Sequence, residues 1–166
     1  MFYECTSLTN VPEDLLYHCN VGRYSCQGMF ANCTNLIIAP KLPKNSGYQS
    51  YSSMFYRCSS LTTVLTFPSY VEIGSCSSMF ESCTSLVNIP NILPATTLAN
   101  SCYDHMFSNC ISLTTAPELP ATVLKERCYR RMFFNCDNLN YIKMMATDIS
   151  ETDCLSGWGY NITNSL

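Results

Sequence analysis

The pattern Met-Phe-x-x-Cys-x-x-Leu occurs six times, beginning at Met1, Met29, Met54, Met79, Met106 and Met132, with spacings of 28, 25, 25, 27 and 26 residues. A period of this length means that each unit is one supersecondary element whose apolar side cannot be buried alone, so successive units must stack. The motif accounts for much of the composition, because six of eight Met, six of eight Phe and six of twelve Cys occupy its fixed positions. Those residues are read first as structure. What such a chain does is then carried by a surface, without need of a pocket.

Within each unit Phe follows Met, at Phe2, Phe30, Phe55, Phe80, Phe107 and Phe133, and Cys follows at Cys5, Cys33, Cys58, Cys83, Cys110 and Cys136. Leu closes the motif at Leu8, Leu36, Leu61, Leu86, Leu113 and Leu139; Pro stands four residues later in four units, and Leu65 and Lys143 replace it in the third and sixth. Leu followed three residues on by Val11, Ala39, Val64, Ile89, Ala116 or Ile142 suits a very short strand with two inward residues, its Pro at the strand end where a missing amide does least harm. Such strands pair in parallel about 4.8 Å apart. Segments 95–105 and 121–131 lie on the return side and predict one short helical turn at most. The fold class is a repeat solenoid, with a short parallel β ladder on one face and loops or short helical turns on the other. Phe at a constant place predicts a stacked aromatic spine.

Residues 1–145 hold the six repeats and form one domain. Residues 146–166 depart from the pattern: Cys154 falls 22 residues after Met132, and Trp158, the single tryptophan, stands where the next Met would be. This segment is read as a C-terminal cap with a fraying tail, since solenoid ends need covering.

A net charge of −3 and a charged content of only 13% leave no basic stripe for nucleic acid. No apolar run approaches the ~18 residues of a membrane span. No signal peptide is visible, and Met1 is itself a motif residue, which is what a piece of a longer array would show.

The cysteines form two sets in register, the motif set and Cys26, Cys76, Cys102 and Cys128, with Cys19 and Cys154 off both. Free Cys is among the most buried residue types, so both sets are read as small buried apolar groups. Pairing within a unit, as Cys76 with Cys83 or Cys102 with Cys110, stays open. No Cys-x-x-Cys occurs, and His18 and His105 have no counterpart in other units, so neither metal nor cofactor is expected. Asp104-His105 is read as part of a solvated turn. With no acid pair, phosphate loop or nucleophile motif above the repeat, the chain is expected not to be an enzyme. Asn32 and Asn161 head glycosylation-type triplets, the first a poor candidate because it adjoins ladder Cys33.

The outward residues of the strand face are the candidate site: Ile37, Ile38, Lys41, Thr62, Thr63, Val87, Asn88, Thr114, Thr115, Glu118, Asn140 and Tyr141, with Thr9, Asn10, Glu13, Thr66, Asn91 and Met144 beside them. The face is neutral and hydroxyl-rich. It suits recognition of a protein partner, with Ile37, Ile38 and Tyr141 as anchors because apolar and aromatic groups dominate interface energy. The alternatives are Thr present only for its strand preference, and a structural spacer with no ligand of its own. Irregular Ile, Val and Asn substitutions argue against a flat threonine face for ice. Nothing in the residues fixes an oligomeric state.

Met-Phe-x-x-Cys-x-x-Leu followed by Pro-x-Leu-Pro and Cys-Tyr, with the closing run 146–158, resembles the leucine-rich repeats of BspA-like surface proteins, in which Ala more often precedes the Phe. The resemblance covers residues 1 to about 145. It implies a right-handed leucine-rich-repeat-like solenoid displayed on a bacterial cell surface or secreted, acting as an adhesin toward host or other-cell proteins, with no shared catalytic residues.

Overall fold

The structure is a computed structural model and describes residues 1–159. Its units stack in the register of the motif. In each unit the main chain around Phe alternates its amides in a regular way. Tyr24, Cys26, Gly28, Phe30 and Asn32 donate to carbonyls of the next unit, Tyr48, Ser50, Ser52, Met54 and Tyr56, at 2.8–3.0 Å. The residues between them, Gln27, Met29, Ala31 and Cys33, donate three residues back within the unit at 3.0–3.3 Å. The result is a ribbon of overlapping β-turns, and no helix is present among the described residues. The return side, read as one short helical turn at most, is thus built of turns, for a physical reason. Every fourth residue has positive φ: Tyr24, Gly28 and Asn32, then Gln49, Ser53 and Arg57, then Gly74, Ser78 and Ser82, and so on to Asp153 and Gly157. That conformation at the third residue of a turn breaks helix propagation and turns an amide outward to the neighbouring unit.

Six phenylalanines form the spine. Phe2, Phe30, Phe55, Phe80, Phe107 and Phe133 stack in order with ring centroids 5.2–5.7 Å apart and interplanar angles of 0–9°. Phe67, outside the repeated positions, packs edge-on against Phe80 and Phe107 at 6.3 and 6.0 Å. Met54, Met79, Met106 and Met132 and Leu36, Leu61, Leu86, Leu113 and Leu139 complete the buried core. The inward pair expected on the strand side is seen at Ala39, Val64 and Ile142, which are buried, while Ile89 and Ala116 are half-buried.

All twelve cysteines are free thiols. In the motif set the sulfur also bridges neighbouring units, since the thiols of Cys33, Cys58, Cys83, Cys110 and Cys136 donate to the carbonyl oxygens of Phe2, Phe30, Phe55, Phe80 and Phe107 in the preceding units at 2.9–3.2 Å. A small apolar side chain with a weak donor fits a buried carbonyl that already accepts one amide. Burial pushes the thiols of Cys58, Cys76 and Cys136 up to about 12 and that of Cys128 up to about 11, and it raises Cys83, Cys102 and Cys110 well above the usual range. Cys154 corrects the sequence reading. It is buried, and its carbonyl accepts the Tyr129 amide at 3.0 Å, just as the Cys128 carbonyl accepts the Tyr103 amide at 3.1 Å, so it continues the second set. The exposed thiols are Cys5 and Cys19.

On the strand side the pairing is shorter than a ladder. It consists of isolated parallel bridges, Ile38 to Thr63 to Asn88, Asn45 to Tyr70, Ile92 to Glu118, Leu119 to Met144 and Val123 to Asp148. At the C-terminal end Trp158 takes the Met position, for its carbonyl accepts the Phe133 amide at 2.9 Å as Met132 accepts that of Phe107. Trp158 packs half-buried against the core. The tail beyond 159, with Asn161, lies outside the described residues. No helix among the described residues is long and apolar enough to cross a membrane.

Candidate functional site

The strand face is built by residues that the short strands turn outward between the buried Leu and the Pro region. Its two halves differ. In the N-terminal half the strands are closed by main-chain bonds, Ile37 N–H to Thr9 O at 3.1 Å, Thr62 N–H to Ile37 O at 2.9 Å, Ala39 N–H to Thr63 O at 3.0 Å and Val64 N–H to Asn88 O at 2.9 Å. Here the threonine hydroxyls are spent internally: Thr62 Oγ1 donates to Ile37 O at 3.2 Å and meets Thr63 Oγ1 at 3.3 Å, which in turn accepts from Asn88 Nδ2 at 3.3 Å. Ile37 and Ile38 stand 42% and 43% exposed beside them. This half presents two isoleucines on a surface whose hydroxyls are already bonded.

In the C-terminal half the strands splay. Thr114 N–H and Val87 O, the counterparts of a closed pair in each earlier junction, are not bonded to one another, nor are Ile89 N–H and Thr115 O, among the described residues. Pairing resumes only downstream, where Glu118 N–H donates to Asn91 O at 2.8 Å and Leu93 N–H to Glu118 O at 3.0 Å. A groove of about 430 Å³ opens at the splay, lined by Val64, Leu65, Val87, Asn88, Ile89, Pro90, Asn91 and Thr115. It runs into a second of about 270 Å³, lined by Asn91, Thr115, Ala116, Glu118, Tyr141 and Lys143. Thr114, Thr115 and Asn140 are exposed along it, and Tyr141 is 60% exposed.

The charges of the face are matched within it. Lys41 pairs with Glu13, and Lys143 Nζ donates to Glu118 Oε1 at 2.8 Å. The hydrogen bond to its carboxylate holds each ammonium above the usual lysine range. Ile37 and Tyr141 belong to units two and six, four strand spacings or about 20 Å apart, a span that a partner surface of ordinary size, about 800 Å², covers.

Two features escaped the sequence reading. Ile92, 45% exposed, flanks the splay at a position after the Pro that no repeat rule marks. On the return side Tyr24, Tyr70 and Ile73 are exposed near Tyr48, whose ring Arg23 covers at 4.8 Å. Their only signal was the clustering of large residues at variable positions. Asp104-His105 also differs from the solvated turn expected. Asp104 is buried, accepts from Arg130 Nε and Nη2 at 3.0 and 2.7 Å, and meets His105 Nδ1 at 2.7 Å. Burial raises this carboxyl, but the hydrogen bonds and charges of His105 and Arg130 outweigh it and hold the group below its usual range. The cluster ties units four and five together. No group of three or more His, Cys, Asp or Glu able to hold a metal ion occurs among the described residues.

The model of the BspA type leucine-rich repeat region matches this chain with six copies, over residues 1–114 and 51–154. The chain belongs to the BspA-type leucine-rich repeat family. Among solved structures it is similar to a leucine-rich repeat protein of T. pallidum, with a TM-score of 0.56 and 26% identity over 86% of this chain and 59% of that one. Matches with lower TM-scores are a leucine-rich cell surface protein from Faecalibacterium prausnitzii, at 0.44 and 21% identity over 73% of this chain and 36% of that one, and a leucine-rich repeat protein from Bacteroides ovatus, at 0.49 and 22% identity over 89% of this chain and 39% of that one. No curated protein matches the chain. This BspA-type array thus spans 59% of the T. pallidum protein's length, and that likeness supports the repeat-solenoid fold.

Proposed function

We propose that this BspA-type array is a non-enzymatic recognition or adhesion module of a bacterial cell surface, coiled in the right-handed sense that the family resemblance implies, and that its strand face meets a protein partner. The observation that carries the reading is a line of large apolar groups left exposed on a face whose charges are paired within it. Ile37, Ile38, Val87, Ile92 and Tyr141 are each between 42% and 60% exposed, while the core is closed without them. Apolar and aromatic side chains presented on a rigid scaffold are what interfaces use as anchors. Family membership supports surface display, and the internally paired charges disfavour a highly charged partner.

The test offers a panel of purified extracellular proteins and intact cells to the immobilised chain. At least one is expected to bind saturably, and replacing Ile37, Ile38 and Tyr141 together by Ala is expected to weaken that binding at least tenfold with an unchanged melting temperature. Binding that survives the triple replacement would dismiss this face. Binding of nothing in the panel would favour an array that only spaces other parts of a larger surface protein.

A further inference from the structure

The splayed half of the strand face holds main-chain groups that the rest of the stack closes. From unit one to unit four the amides of Ile37, Thr62 and Val87 each reach a carbonyl of the preceding strand at 2.9–3.2 Å. At the next junction the equivalent amide of Thr114 and carbonyl of Val87 do not bond to each other, and the amide of Ile89 stands likewise open, among the described residues. Val87 and Ile89, with Thr115 next to Thr114, line a groove of about 430 Å³, within the range of sites that hold a ligand. The groove's neighbours in charge, Glu118 and Lys143, satisfy one another at 2.8 Å, so nothing there calls for a charged occupant. Open amides and carbonyls side by side along extended chain match one chemistry best, another peptide main chain, as in recognition by strand addition.

We propose that this opening takes an extended, uncharged peptide segment of a protein partner, held by main-chain hydrogen bonds to Val87, Ile89 and Thr114 and by side-chain contact with Tyr141. The inference rests on the recognition reading above and narrows it to one half of the face. The strands close again at Asn91 and Glu118, so the segment enters only the short opening between Val87 and Ile89 on one side and Thr114 on the other, and does not extend into a full strand.

The probe is an array of random twelve-residue peptides with blocked termini, offered to the whole chain. Uncharged peptides are expected to be enriched, and a resynthesised one is expected to lose at least tenfold in affinity when alternate residues of one register are N-methylated, which removes donors without changing side chains. Thr115→Trp, an exposed position on the groove wall, is expected to weaken it at least tenfold, and Ile73→Trp, exposed on the return side, to leave it unchanged. Asn88→Trp serves as the second blocking variant if Thr115→Trp melts early. No enrichment of uncharged peptides, equal binding by both N-methylated registers, or binding undiminished in a folded blocking variant would overturn the proposal. If whole-protein binding depends on the three anchors while no peptide is enriched, the recognition role stands and this inference falls.

Discussion

At the residue scale, the backbone conformation at every fourth position does what a glycine signature would ordinarily announce. Fifteen non-glycine residues among those described have positive φ, including Asn32, Arg57, His105 and Arg131. Each such residue costs on the order of 1 kcal/mol, offset here by amides that reach the next unit. Because Ser, Asn, Arg, Gln, Glu, His and Tyr all fill these places, the positions looked free in the sequence and the turn ribbon was not legible from it. Gly28 isolates the effect, since its φ is +59° and a Cβ there would meet nothing within 4 Å. Gly28→Ala is expected to destabilise the chain by about 1 kcal/mol in urea unfolding, from backbone strain alone. An unchanged midpoint would show that the turn relaxes without cost.

At the scale of the element, the spine and the cysteine ladder were legible because both recur at one motif position, and a residue repeated six times in register has only its own copies to pack against. Phe67 was not, because it belongs to unit three alone, where the Pro is replaced by Leu65 and the chain path admits an edge-on ring. The splay of the strand face was equally hidden, since it depends on which amides find partners and not on side-chain type. Phe107 stacks on Phe80 and Phe133 and receives the edge of Phe67. Truncation to Ala should therefore cost about 3–5 kcal/mol, read from a denaturant or thermal melt. A loss under about 1 kcal/mol would mean that neighbouring rings close the gap, which rigid stacks of this kind resist.

For the whole molecule, the buried thiols give stability a steep alkaline edge. Cys58, Cys76, Cys83, Cys102, Cys110, Cys128 and Cys136 are raised in the fold, while in the unfolded chain each ionises near pH 8.5. Above that pH the unfolded state binds fewer protons than the folded one, so stability falls as pH rises and is intact below it. Each thiol contributes about 1.4 kcal/mol per pH unit. Against a typical total of about 5–15 kcal/mol, the stack should unfold between about pH 9 and 10 at 25 °C, seen by circular dichroism. A midpoint unmoved up to pH 10.5 would contradict burial of neutral thiols. The period and the family were readable from end to end, because stacking imposes one rule on every unit. The splayed half of the face was readable only as a set of residues, because its shape depends on which main-chain groups find partners.

The most direct measurement is a count of reactive thiols by alkylation and intact mass, without reductant, before and after unfolding. The stacked, thiol-lined array described here predicts rapid modification of Cys5 and Cys19 alone in the native chain and of the other ten only on denaturation. Thiols that appear only after reduction, or rapid native labelling of the ladder cysteines, would contradict it.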